Sequence, residues 1–237
     1  MKVCVVHGSP KKGNTYMATG IVMEELARQG SIEFSQFFLP QDMPHFCRGC
    51  FACIERGENK CPDVGYVQPI LNSMREADGL IFTSPVYVLG ETGAMKVLLD
   101  HFAYIYLAHR PMEEMFSKVA LVISTAAGGG TGYAMGSMSR SLRFWGVPKV
   151  HKCGFALRAK EWEEMPDTKQ DKYADTLRKQ ARKFYDSMAR RRHARTPMFT
   201  RIVFTFLKGT ISKYPDGNID KEYWRQKGWL EGKNRPF

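Results

Sequence analysis

The 237-residue chain lacks any apolar run near the roughly 18 residues that a membrane-spanning helix needs. The apolar stretch near its start, Val3-Cys4-Val5-Val6, is too short for an export signal, and no small-residue cleavage site follows it. A cytoplasmic location is therefore expected. The chain also lacks internal repeats and low-complexity tracts. No Ser/His/Asp set and no paired carboxylates stand out, which leaves hydrolysis without support. Its first glycine-bearing loop has neither the Gly-Lys-Ser/Thr ending of a triphosphate-binding loop nor the three glycines of a dinucleotide fingerprint.

What is present suits one sizeable domain with an extension, or two small domains. Hydrophobic residues make up 43% of the chain and aromatic residues 12%, which suffices for a real core. The net charge of +11 is uneven: from Arg158 onward, 20 Lys and Arg stand against 11 Asp and Glu. Such a basic third can meet nucleic acid, an anionic membrane or an acidic protein. A solvated helix face is the preferred reading, and no nucleic-acid partner is expected.

Strands and helices alternate over the first two thirds. Lys2 to Val6 is a β-branched run suited to a buried parallel strand. Further strands are expected at Ile32 to Leu39, Gly79 to Thr83, Lys118 to Ser124 and Val150 to Leu157. Helices are expected at Thr15 to Gln29, Thr92 to Leu107, Tyr133 to Trp145 and Asp167 to Arg195. Another should start at Asp63, as N-cap, and run to about Ala77. Five strands separated by helices predict a doubly wound α/β sheet of flavodoxin-like order 2-1-3-4-5, with right-handed crossovers. Residues 1–195 would form this domain, with a cysteine-rich loop at 44–63. Residues 196–237 would be a basic, aromatic extension.

In such a fold the ligand sits at the carboxyl edge of the sheet. Three loops leave that edge. In Gly8-Ser-Pro-Lys-Lys-Gly-Asn-Thr15, the Ser9 and Thr15 hydroxyls, the Asn14 amide and a helix N-terminus suit a phosphate, with Lys11 and Lys12 adding mobile charge. In Ser84-Pro-Val-Tyr-Val-Leu-Gly-Glu-Thr-Gly93, Pro85 stiffens the chain, Tyr87 offers an aromatic face and Gly90 admits a flat ring. The small residues of Ser124-Thr-Ala-Ala-Gly-Gly-Gly-Thr-Gly132 let a planar ligand lie against backbone. Each loop alone is also consistent with ordinary turn chemistry.

Together with Ala77-Asp-Gly-Leu-Ile-Phe-Thr-Ser-Pro-Val-Tyr87 and Gly93-Ala-Met-Lys-Val-Leu-Leu-Asp100, these loops resemble the NAD(P)H-dependent FMN reductase-like group of flavodoxin-fold proteins. The likeness covers Lys2 to Leu157, in order and spacing. It implies an FMN site in which Ser9, Lys11, Lys12, Asn14 and Thr15 contact the phosphate. Pro85, Val86, Tyr87 and Gly90 would face the flavin ring, with Thr125 and Gly128 on its other side. NAD(P)H is implied as co-substrate. His101 stands where many relatives carry Arg, which puts an ion pair at that helix in question.

Of six cysteines, Cys47, Cys50, Cys53 and Cys61 fall within fifteen residues. Without an export signal, such a cluster points to metal binding or redox chemistry rather than to a disulfide framework. Two-residue gaps let successive thiolates converge on a [4Fe–4S] cube, and Gly49 eases the turn. The pattern resembles the compact motif of iron–sulfur flavoproteins, a branch of the same family. Tetrahedral zinc and free thiols or a redox pair remain open on spacing alone. Cys4 and Cys153 read as core packing residues. His45 and His109 read as surface or capping groups.

The implied activity is electron transfer from NAD(P)H or a ferredoxin-like donor to a quinone, an aromatic or another acceptor. No catalytic acid or base is required, because the flavin carries the chemistry. An FMN electron carrier without NAD(P)H oxidation and without a cluster is the alternative, and an interaction protein with an incompetent pocket is a third. The extension carries Phe199, Phe204, Phe206, Trp224 and Trp229, surplus to a complete sheet. It is expected to pack on a second subunit, giving a homo-oligomer (dimer or tetramer), in preference to lying on an anionic membrane.

Overall fold

The computed structural model describes residues 1–191, 195–232 and 234–237. Five strands, β1 (Lys2–His7), β2 (Glu33–Phe38), β3 (Gly79–Pro85), β4 (Val119–Ala126) and β5 (Lys149–Ala156), form one parallel sheet. Its order is β2-β1-β3-β4-β5, the doubly wound arrangement expected. The interior strands carry near-continuous apolar runs because helices cover both faces. Alternation then sorts each run: Cys4, Val6, Leu80, Phe82, Ala120 and Val122 face one layer, Val3, Val5, Ile81, Leu121 and Ile123 the other.

The second of these faces is covered by α1 (Asn14–Gln29) and the long α6 (Asp167–Ala189), through Val22, Leu26, Leu177 and Phe184. The opposite face is covered by α3 (Val64–Glu76), α4 (Gly93–His101) and α5 (Thr131–Phe144), which follow the short α2 (Ala52–Glu55). Cys4 and Cys153 are buried, as expected, and burial pushes their thiols up to about 11 and about 12.

Two helix ends and one helix cap differ from expectation. The helix after β3 stops at His101 rather than Leu107; Phe102, Tyr104 and Ile105 instead enter the core from a 3₁₀ turn. The long basic helix stops at Ala189, and residues 192–194 of its expected end lie outside the described residues. Asp63 stands at the N-cap of α3, yet its side chain makes no capping bond and turns to two histidines instead.

The extension forms α7 (Met198–Ile211) and α8 (Ile219–Gln226). From sequence it is surplus to the sheet, with its aromatic residues expected to be covered by a second subunit. Phe204, Ile211, Trp224 and Trp229 correct that: they are buried with Leu107 and Phe116 of the main domain as a third core. Phe204 stacks on Trp224 with ring centroids 4.6 Å apart. Met198, Phe199, Ile202 and Phe206 of α7 stay exposed. No helix among the described residues is long and apolar enough to cross a membrane.

Candidate functional site

A cleft of about 760 Å³ opens at the carboxyl edge of the sheet, where β1, β3, β4 and β5 all end. Ser9, Lys11, Asn14, Thr15, Pro85, Val86, Tyr87 and Thr125 line it, as the sequence suggested. The reversal of winding direction at β1 and β3 leaves this gap between loops.

The floor is set by close packing. Gly8 N–H donates to Thr83 O at 2.7 Å, and a Cβ at Gly8 would stand 2.8 Å from that oxygen. Thr92 caps α4 by accepting from Met95 N–H at 3.1 Å, and its hydroxyl donates to Gly8 O. Thr15 and Thr125 join the first and third loops through their hydroxyls, 2.6 Å apart and buried.

The first turn of α1 suits an anion. Gly13 supplies no side-chain cap, and the first intrahelical bond runs from Met17 N–H to Gly13 O. The preceding amides of that turn, Asn14, Thr15 and Tyr16, therefore have no partner within the helix. Asn14 donates to Lys160 O at 2.8 Å, and its own oxygen is buried without a partner. Lys11 pairs with Glu161 at 3.0 Å across the cleft mouth. Uncapped donors, the positive helix terminus and these polar groups fit the phosphate of a bound nucleotide.

The ring end is shaped by a tight turn. Tyr87 and Gly90 exchange backbone bonds at 3.0 and 3.1 Å, so Gly90 closes a turn and does not line the cleft. Val88 and Leu89 at its tip are held at φ +47° and +64°, unusual for such residues, with their side chains exposed. Gly130 lets the third loop approach this turn: at φ +92°, a Cβ would lie 2.9 Å from Val86 Cγ1. Gly128 is exposed away from the cleft lining. Lys12 also lies outside it, with its ammonium 5.4 Å from the Tyr16 ring centroid.

One part of the cleft was missed in the sequence. Arg158, Ala159, Lys160 and Glu161, after β5, form its far wall. Their position at the same sheet edge was the available signal, but this segment has no glycine or aromatic pattern to mark it.

The cysteine loop leaves the same edge after β2, tied by Leu39 N–H to His7 O at 2.9 Å. Cys47 and Cys50 are exposed, Cys53 and Cys61 half-buried, and none is in a disulfide. Burial raises the Cys53 and Cys61 thiols, and Cys47 adds to both shifts. Gly49 and Phe51 take left-handed conformations that wrap the loop. Among the described residues, three candidate donor atoms come within 4.8 Å of one another only at Cys61, Asp63 and His101. Four cysteines on one wrapped loop supply the kind of thiolate set that a [4Fe–4S] cube or a tetrahedral zinc ion takes.

Asp63 is buried beside this loop. Burial works against its charge, but His45 at 2.8 Å and His101 at 3.3 Å hold its carboxyl below the ordinary range. His101 Nδ1 donates to Val97 O at 2.8 Å. His101 thus gives this helix a hydrogen-bonding partner for the Asp63 carboxylate.

The sheet order and the cleft at its carboxyl edge are those of a flavodoxin-like fold. The chain belongs to the NADPH-dependent FMN reductase family, whose model matches residues 1–160. It is 34% identical over 129 residues to an iron–sulfur flavoprotein of Methanocaldococcus jannaschii, covering 54% of this chain and 65% of that relative. It is 30% identical over 159 residues to an iron–sulfur flavoprotein of Archaeoglobus fulgidus, covering 66% and 70% respectively. The fold also matches an FMN-dependent NADH-azoreductase of Bacillus anthracis in complex with FMN, with TM-score 0.58 at 13% identity, over 78% of this chain and 100% of that one.

Proposed function

We propose that this protein binds FMN in the sheet-edge cleft and a [4Fe–4S] cluster on Cys47, Cys50, Cys53 and Cys61. It takes electrons from NAD(P)H or a reduced ferredoxin-like protein and delivers them to a quinone, an aromatic or another acceptor. The observation that carries this reading is the shared edge. The uncapped α1 terminus and the four-thiol loop emerge from neighbouring strands β1 and β2. When bound, FMN supplies two-electron chemistry and the cluster one-electron transfer.

The chain's own residues would place and shield these groups. Ser9, Asn14, Thr15 and the α1 amides would hold the phosphate, with Lys11 nearby. Pro85, Val86 and Tyr87 would face the ring from one side and Thr125 from the other. Gly90 and Gly128 would act by shaping their turns. The names of the two archaeal relatives support the cluster, as does the placing of all four cysteines on one loop at this sheet edge.

Exposed Val88, Leu89 and Tyr133 support a homo-oligomer whose subunits meet at the cleft mouth and along α7.

Anaerobic purification, with iron and sulfide analysis and a visible spectrum, tests the proposal. About four irons per chain and a yellow chromophore reduced by NADPH are expected, as the cube's composition implies. Zinc in place of iron, or no metal, would remove the cluster. Bound FMN left unreduced by NADPH and NADH would favour a pure electron carrier.

A further inference from the structure

The segment His109-Arg110-Pro111 lies outside the cleft, between α4 and β4. Helix α8 grips it at three points. Trp224 Nε1 donates to His109 O at 2.6 Å, and Tyr223 donates its hydroxyl to Pro111 O at 2.7 Å. Asp220 takes His109 Nδ1 on one oxygen at 2.7 Å and Arg110 Nη1 on the other. Asn218 fixes Asp220 in turn, by accepting from its N–H at 3.1 Å as the cap of α8.

Arg110 is 5% exposed, and the rest of its guanidinium reaches into the cysteine loop. Nη2 donates to Cys53 O, and Nη1 also donates to Ile54 O at 3.3 Å. Nε faces Glu58 at 3.5 Å. Ile219 of α8 also packs on this loop, with its Cδ1 3.6 Å from where a Cβ on Gly57 would stand. A guanidinium this deep needs anions and acceptors to offset its desolvation. Asp220 provides the anion, and the carbonyls of Cys53 and its neighbour provide acceptors.

We infer that Arg110, held in place by Asp220, is a positioning residue for the metal centre of the cysteine loop and raises that centre's reduction potential. The C-terminal extension is thus the clamp that fixes the charge. The inference rests on the reading that the four cysteines carry a cluster. One-electron reduction adds negative charge to the centre, so a fixed cation beside a ligand favours the reduced form. Removing Arg110's charge should lower the potential. Neutralising Asp220 or Glu58, the acids that offset that charge, should raise it.

The test is a redox titration, followed by electron paramagnetic resonance, of anaerobically reconstituted wild type, R110Q, R110K, D220N and E58Q. Iron content and FMN absorbance serve as controls for loading and folding. The expected result is a lower midpoint in R110Q, a higher one in D220N, a smaller rise in E58Q and a near-wild-type value in R110K. Should R110Q shed its iron while still binding FMN, a raised midpoint in D220N beside a near-wild-type midpoint in R110K still decides the matter. Iron-loaded variants with unchanged midpoints, or with shifts of one sign, would overturn the inference alone. A wild type that binds FMN but no iron would overturn the cluster reading, and the inference with it.

Discussion

Thr15 concentrates the residue-scale argument. Its hydroxyl is buried, bonded to Thr125, and set in the first turn of α1, so under the proposed reading it would serve the phosphate end and the loop contact together. Thr15→Val keeps the shape and leaves Thr125 Oγ1 without its partner. FMN binding should weaken by about 1–3 kcal/mol, the cost of underpairing a charged acceptor. Fluorescence titration checks this, and unchanged affinity would remove Thr15 from the site. That Thr15 lines the cleft was legible because the first strand-to-helix turn lies at the sheet edge where such clefts form. Lys12 read the same way and sits elsewhere, drawn over Tyr16 and Phe38. Spacing does not say which way a long, flexible side chain turns.

Among elements, the decisive contact is loop on loop. Gly130 admits the third loop against Val86 and Leu89 and holds φ +92°. Gly130→Ala adds a Cβ in a strained conformation, costing about 1–3 kcal/mol. The urea midpoint should fall and flavin affinity with it; an unchanged midpoint would mean that the loops do not need this approach. The β5–α6 contact carries a pH signature. Burial, aided by Lys149 and Lys183, pushes His151 from 6.5 down to about 4. Its Nε2 lies 3.0 Å from Ser187 Oγ. The folded state thus prefers the neutral ring, so this stability is full above pH 6.5 and is lost as pH falls toward 4. The loss is at most about 3 kcal/mol, and less where solvent screens the ring. His151→Gln should flatten the fall in urea midpoint between pH 7 and pH 4.5. An equal fall in the variant would locate the acid sensitivity elsewhere.

At the scale of the whole molecule, the extension has two sides. Its inner side completes the third core, so deleting residues 196–237 would strip Leu107 and Phe116 of their cover. Its outer side leaves Ile202 and Phe206 in solvent, with Phe206 73% exposed. Assembly is therefore better tested by point changes than by truncation. Ile202→Glu with Phe206→Glu should leave folding intact and reduce the mass seen by light scattering to that of one chain. A pair of substitutions that leaves the assembly whole but abolishes binding to anionic vesicles would identify a membrane contact instead, since Arg201 and Lys208 lie on the same helix.

The alternation of apolar runs and helical periods, with hydroxyl and glycine turns after β1, β3 and β4, was enough to determine the sheet order, both covered faces and most of the cleft. These are local signals: they depend on neighbours in sequence and on sheet rules common to all such chains. Only the tertiary structure decided what rests on long-range partners. Asp63 looked like a helix cap until His45 and His101 came beside it. Helix α4 ended early because Phe102 and Tyr104 had a core to enter. The wall after β5 joined the cleft because five parallel strands end together. Trp224 and Trp229 gave no sign in sequence of where they would be covered. Burial of an apolar ring is non-directional, so its partner is set by which surface the folded domain leaves bare. Here that surface was the patch around Leu107 and Phe116, and its choice brought Asp220 to Arg110 and Arg110 to the cysteine loop.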